Sequence, residues 1–64
     1  MTIKIQAVSN DKARIIHWEA TFDEDVMAEM VAEIYADRGF IVNMYRDEVG
    51  GWKFYHMLEA GEMA

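Results

Sequence analysis

The segment Thr21-Phe22-Asp23-Glu24-Asp25-Val26-Met27-Ala28-Glu29-Met30-Val31-Ala32-Glu33-Ile34-Tyr35-Ala36-Asp37-Arg38-Gly39-Phe40 decides the fold. It carries a helical period between two stretches that alternate every second residue. Thr21 to Glu24 has the S/T-x-x-E form of a capping box. Thr21 is then expected to accept from the N–H of Glu24, and Glu24 to reach back to the N–H of Thr21. Asp23, Glu24 and Asp25 sit where the positive end of a helix dipole favours acids. Phe22, Val26, Met30 and Ile34 recur at spacing four, with Met27, Val31 and Tyr35 beside them. This reads as the buried stripe of an amphipathic helix. Gly39 is placed to end the helix in a left-handed conformation, with Phe40 packing back on Tyr35 or Ile34. Arg38 faces the negative end. The spacing predicts a helix over about residues 22–38.

On the N-terminal side, Ile3, Ile5 and Ala7 alternate with Lys4, Gln6 and Val8. Ser9-Asn10-Asp11-Lys12 is a polar turn cluster. Ala13 to Ala20 alternates again, with Ala13, Ile15, His17 and Glu19 on one face and Arg14, Ile16, Trp18 and Ala20 on the other. Two strands joined by so short a turn make an antiparallel hairpin. On the C-terminal side, Phe40, Val42 and Met44 share one face and Ile41, Asn43 and Tyr45 the other. Asp47-Glu48-Val49-Gly50-Gly51 is a glycine-bearing turn. Trp52, Phe54, His56 and Leu58 alternate with Lys53, Tyr55 and Met57, which makes a second hairpin. Residues 59–64 read as a frayed tail.

The order is ββαββ, an α+β fold in one domain spanning residues 1–64. A four-stranded antiparallel sheet with strand order 2-1-3-4 is preferred, with the helix packed on one face. On the uncovered face, Ile16, Trp18, Ile41, Tyr45, Tyr55 and Met57 are expected to be partly exposed. An apolar sheet face of that kind often marks a partner surface.

Composition narrows the function. The 64 residues include 12 Asp and Glu against 6 Lys and Arg, a net charge of −6, with no Cys and no Pro. Such a short chain buries only about 60% of its unfolded surface. No disulfide or thiolate metal site can help it. A hydrophobic share of 53% is too rich for disorder. No apolar run approaches the roughly 18 residues of a membrane span, and the N-terminus lacks a signal peptide's pattern. A soluble cytoplasmic protein is expected. Its negative charge repels nucleic acid and membranes and favours basic partners.

No catalytic motif is present. His17 and His56 lack a partner at metal-ligand or general-base spacing, and read as structural or surface residues. Thr2, Ser9 and Thr21 have no visible base. Gly50-Gly51 is a turn and not a phosphate loop. Trp52-Lys53-Phe54-Tyr55 is similar to the aromatic platforms that stack bases, but nucleic-acid binders are normally basic. These aromatics are better explained as core (Trp52, Phe54) and partner surface (Tyr55). Met27, Met30 and Met44 read as core fillers, and Met57 as part of an adaptable contact surface. No cofactor, metal or direct nucleic-acid partner is expected.

The feature that asks for explanation is acidic. Asp25, Glu29, Glu33 and Asp37 are each four residues apart, a ladder rising about 6 Å per step and slewing 40° per step toward the apolar stripe. Like charges at this spacing cost a few tenths of a kcal/mol per pair. Arg38 is the only cation on the helix. Asp23 and Glu24 join the ladder at its N-terminal turn, and Asp47 and Glu48 sit on the second hairpin's tip. Either this is an ordinary solvated face, or it presents anions to a basic groove.

A tiny, acidic, Cys-free domain with one helix on a small antiparallel sheet resembles the inhibitors that bacteriophages direct against host machinery. Among these it resembles anti-CRISPR proteins that act on type I effector complexes. Inhibitors of host RNA polymerase of similar size are a second comparison. The resemblance spans the whole chain in size, charge and element order, and it carries no diagnostic motif. It implies a non-enzymatic DNA mimic in the host bacterial cytoplasm. Asp23, Glu24, Asp25, Glu29, Glu33, Asp37, Asp47 and Glu48 would replace phosphates against a DNA-binding subunit of the effector complex Cascade, where it reads its PAM or holds target duplex. A monomer is favoured. The alternative is a homodimeric or partner-binding module acting through the exposed aromatic sheet face.

Overall fold

A computed structural model describes residues 2–9, 11 and 14–61. Its elements are β1 (Ile3–Val8), β2 (Ile16–Phe22), α1 (Asp25–Asp37), β3 (Ile41–Glu48) and β4 (Gly51–Leu58). All strand pairs are antiparallel and the order is β2-β1-β3-β4, as the two-hairpin pattern requires. The helix lies on one face of this sheet. The result is two layers only 16 Å through the thinnest direction, with one thin core between them.

β1 is the central strand of that core. Ile3, Ile5 and Ala7 are fully buried beneath the helix, and Val42 and Met44 of β3 lie beside them. The helix answers with alanines. Ala28, Ala32 and Ala36 are its buried residues. The expected stripe points the other way: Val26, Met27, Met30 and Ile34 are each 50–61% exposed. The reason is steric. A methyl row at spacing four lets the helix backbone settle closely on a sheet already filled by Ile, Val and Met side chains. A Val/Met/Ile row there would hold the two layers apart. Only Phe22, Val31 and Tyr35 of the expected set pack against the core, at its flank.

That flank is an aromatic string. Trp18 stacks on Tyr35 with centroids 4.7 Å apart, Tyr35 meets Phe40 edge-on at 5.9 Å, and Phe40 stacks on His17 at 4.6 Å. Such contacts add about 0.5–1.5 kcal/mol beyond the area they bury, and they tie β2 to the helix and to the loop after it.

The helix begins later than its sequence pattern predicts. Thr21 and Phe22 remain in β2, paired with Lys4 and Ile3. Glu24 is the N-cap and makes no side-chain capping bond. Cross-strand pairing has taken the backbone that the capping box would need. The C-terminus follows the sequence. Gly39 adopts φ +96°, its N–H donates to Ala36 O at 3.0 Å, and the Phe40 N–H donates to Tyr35 O at 3.2 Å. This is a complete Schellman motif, and the Tyr35–Phe40 ring contact is its hydrophobic clasp. The tail is not free at its start, because the Gly61 N–H also donates to Ala36 O at 2.7 Å. Residues 62–64 lie outside the described residues.

Two bulges set which side chains face the helix. In β2, Ala7 pairs with Trp18 and Val8 with Ile16, leaving His17 extra. In β4, Met44 pairs with His56 and Tyr45 with Phe54, leaving Tyr55 extra. An extra residue inverts the alternation beyond it. Trp52 and Phe54 therefore point away from the helix, 42% and 52% exposed, instead of into the core. Tyr55 and Trp18 pack on the helix side, not on the open face. Ile16, Tyr45 and Met57 do lie on the open face, whereas Ile41, on the same face, is buried and not partly exposed as expected.

Candidate functional site

The helix rotation that buries the alanines also decides where the acids go. On a 100° helical wheel centred on Ala32, Asp25 and Glu29 lie beside the buried row, Glu33 at the flank and Asp37 near the outer surface. All four are exposed. The flank they occupy faces β4, where Glu29 and Glu33 border a shallow hollow with Met44, His56 and Leu58. Val26, Met27, Met30 and Ile34 form the crest next to them. The outer surface of α1 is thus an apolar ridge with acids along its edge.

The remaining expected acids divide. Asp23, Glu24 and Asp25 border a small hollow with Ile3 and Val26 at the start of the helix. Asp47 and Glu48 lie at the same end of the sheet, since Arg46 of β3 pairs with Ile3. They do not extend the ladder, however. Asp47 shares the open face with its partner Trp52, and Glu48 pairs with Lys53 at 3.8 Å. That is the one ion pair among the described residues. Asp25, Glu29, Glu33 and Asp37 have none.

The field of the ladder is felt at one neighbour. The Tyr55 hydroxyl contacts Met44 Sδ at 4.0 Å, and the Arg46 guanidinium lies 4.1 Å over the Tyr55 ring. Partial burial raises the Tyr55 phenol above its ordinary value, Arg46 opposes that rise, and the charges of Glu29 and Asp25 add to it. A phenol held protonated in the native state contributes stability that is full below pH 10 and is lost as pH rises through the raised native value. An alkaline absorbance titration is expected to show one tyrosine titrating late. Glu29→Gln should bring that titration down, and an unchanged titration would place Glu29 away from the ring.

Among the described residues no group of His, Asp and Glu is arranged to hold a metal ion, and no buried side-chain polar atom lacks a partner. Among the described residues no helix is long and apolar enough to cross a membrane. Comparison with known proteins returned no matching family model, no matching curated protein and no matching solved structure.

Proposed function

We propose that this protein is a non-catalytic inhibitor that docks α1 on a basic, nucleic-acid-binding surface of another protein and so keeps nucleic acid off it. The observation that carries the reading is the outer surface of α1. Four unpaired carboxylates wind from the sheet side of α1 to the edge of an apolar ridge that the fold leaves in water. Exposing Val26, Met27, Met30 and Ile34 forgoes up to about 1.5–3 kcal/mol of burial at each, which a partner groove would recover. The acids would supply steering and register toward Lys and Arg. The ridge would supply contact area that a pure phosphate imitation lacks. A type I CRISPR effector complex is the target class to which the resemblance in size, charge and element order points.

The test is capture from a bacterial host lysate with the tagged chain, washed at low and high salt and then challenged with duplex DNA. A DNA-binding complex should be retained at low salt, weakened at high salt and displaced by DNA. Retention indifferent to both salt and DNA would end the mimicry reading.

A further inference from the structure

The fold leaves a second apolar surface, on the side of the sheet opposite α1. We propose that this open sheet face is where two copies of the chain pair, back to back. Ile16, Tyr45, Trp52, Phe54 and Met57 lie on it, and all but Tyr45 are 42–53% exposed. The bulge at Tyr55 puts the aromatic pair there, because it sends Trp52 and Phe54 outward while His56 and Leu58 stay on the helix side of the sheet.

Charge selects the occupant. The strands put one cation, Lys4, and two acids, Glu19 and Asp47, on the face, and Arg14 and Glu59 border it in a hollow beside Ile41 and Met57. Glu19 is already bonded by Gln6 at 2.6 Å. Lys4 lies 5.1 Å from the Tyr45 ring centroid and 4.9 Å from that of Trp52, so it is engaged with the rings it sits among. A nearly neutral, aromatic face offers little to a polyanion. It does suit a second copy of a protein whose net charge is −6. Back-to-back pairing places the two acidic helices on opposite outer surfaces, with both sheets and their spacing of about 10 Å between them. That exceeds the Debye length of about 8 Å at physiological salt. Pairing through α1 would instead bring two acidic ladders together.

The area suffices for a reversible dimer. Four strands about 4.8 Å apart, with about seven residues of 3.3 Å each, give roughly 900 Å² in projection over two copies. That lies under the about 1,200 Å² at which stable interfaces begin, in the range of weak, reversible pairs. Dissociation in the micromolar range is expected.

Sedimentation of the intact chain from low to high micromolar concentration tests the proposal. The mass should rise from 7.4 kDa toward twice that value. Phe54→Lys should weaken pairing by about 30-fold or more, the scale of a central aromatic anchor, with far-UV circular dichroism unchanged. Met30→Lys, on the helix crest, should leave pairing intact. A wild-type chain that stays monomeric throughout overturns the proposal, whether or not it binds single-stranded oligonucleotide through Trp52. So does pairing that survives Phe54→Lys or is lost with Met30→Lys. Because the helix crest belongs to the inhibitor reading alone, failure of one proposal leaves the other standing.

Discussion

Ala32→Leu is expected to remove about 1–3 kcal/mol, a large share of this small domain's stability, although it only adds carbon to a helix. Ala32 has no exposure and sits mid-row between Ala28 and Ala36, facing the sheet. Leucine there must push the helix off the sheet or force neighbouring side chains from their rotamers. Such overpacking costs about 1–3 kcal/mol and sometimes more. A core in a domain this small rarely supplies more than about 3–5 kcal/mol in total. The contrasting variant is Met30→Ala. Deleting a large apolar side chain ordinarily costs several kcal/mol in a core, but Met30 is 57% exposed, so a change within about 0.5 kcal/mol is expected. Urea denaturation followed by far-UV circular dichroism measures both. The opposite ranking would mean that the helix is rotated by half a turn.

Glu29→Lys with Glu33→Lys is expected to abolish partner binding, reducing affinity by about 100-fold or more, because like charge set against a basic surface costs several kcal/mol. The same change should leave the fold intact or slightly more stable. In the wild type, each of the three steps from Asp25 to Asp37 sets acid against acid. After reversal, Asp25 faces Lys at position 29 and Lys at position 33 faces Asp37, while the middle step from 29 to 33 stays like-charged. Each opposite-charge pair is worth a few tenths of a kcal/mol in the favourable sense. Loss of binding with retained or raised thermal stability would therefore assign the effect to the surface. Normal binding by this variant would remove the acidic flank from the contact.

These two experiments bear on the part of the molecule that its sequence describes least well. Strand order and the Schellman end at Gly39 were legible, because each depends on backbone rules with few competitors. The rotation of α1 was not. Ala28, Ala32 and Ala36 recur with the same period as Val26, Met30 and Ile34, so periodicity alone gives two candidate faces. Hydrophobicity chooses the larger side chains, whereas fit against an already filled sheet chooses the smaller. The capping box failed for a related reason: Thr21 and Phe22 were equally good strand residues, and pairing with Lys4 and Ile3 held them in β2. The bulges at His17 and Tyr55 leave no composition signal, since neither carries a glycine and both sit within unbroken alternation. For the candidate site, the exposed ladder was legible by spacing. Its apolar neighbour was seen but assigned to the wrong side of the helix. The role of Asp47 and Glu48 depended on a β4 register that the sequence does not print.

The alanine row has a consequence for how such a protein can change over time. Structural duty on α1 falls on three methyl groups, with Val31 and Tyr35 at their flank, and positions 26, 27, 30 and 34 are relieved of it. Substitutions at those four positions can alter what the helix meets without passing through an unfolded intermediate sequence. The surface that faces outward is free to track a changing counterpart, while the half that faces the sheet stays still.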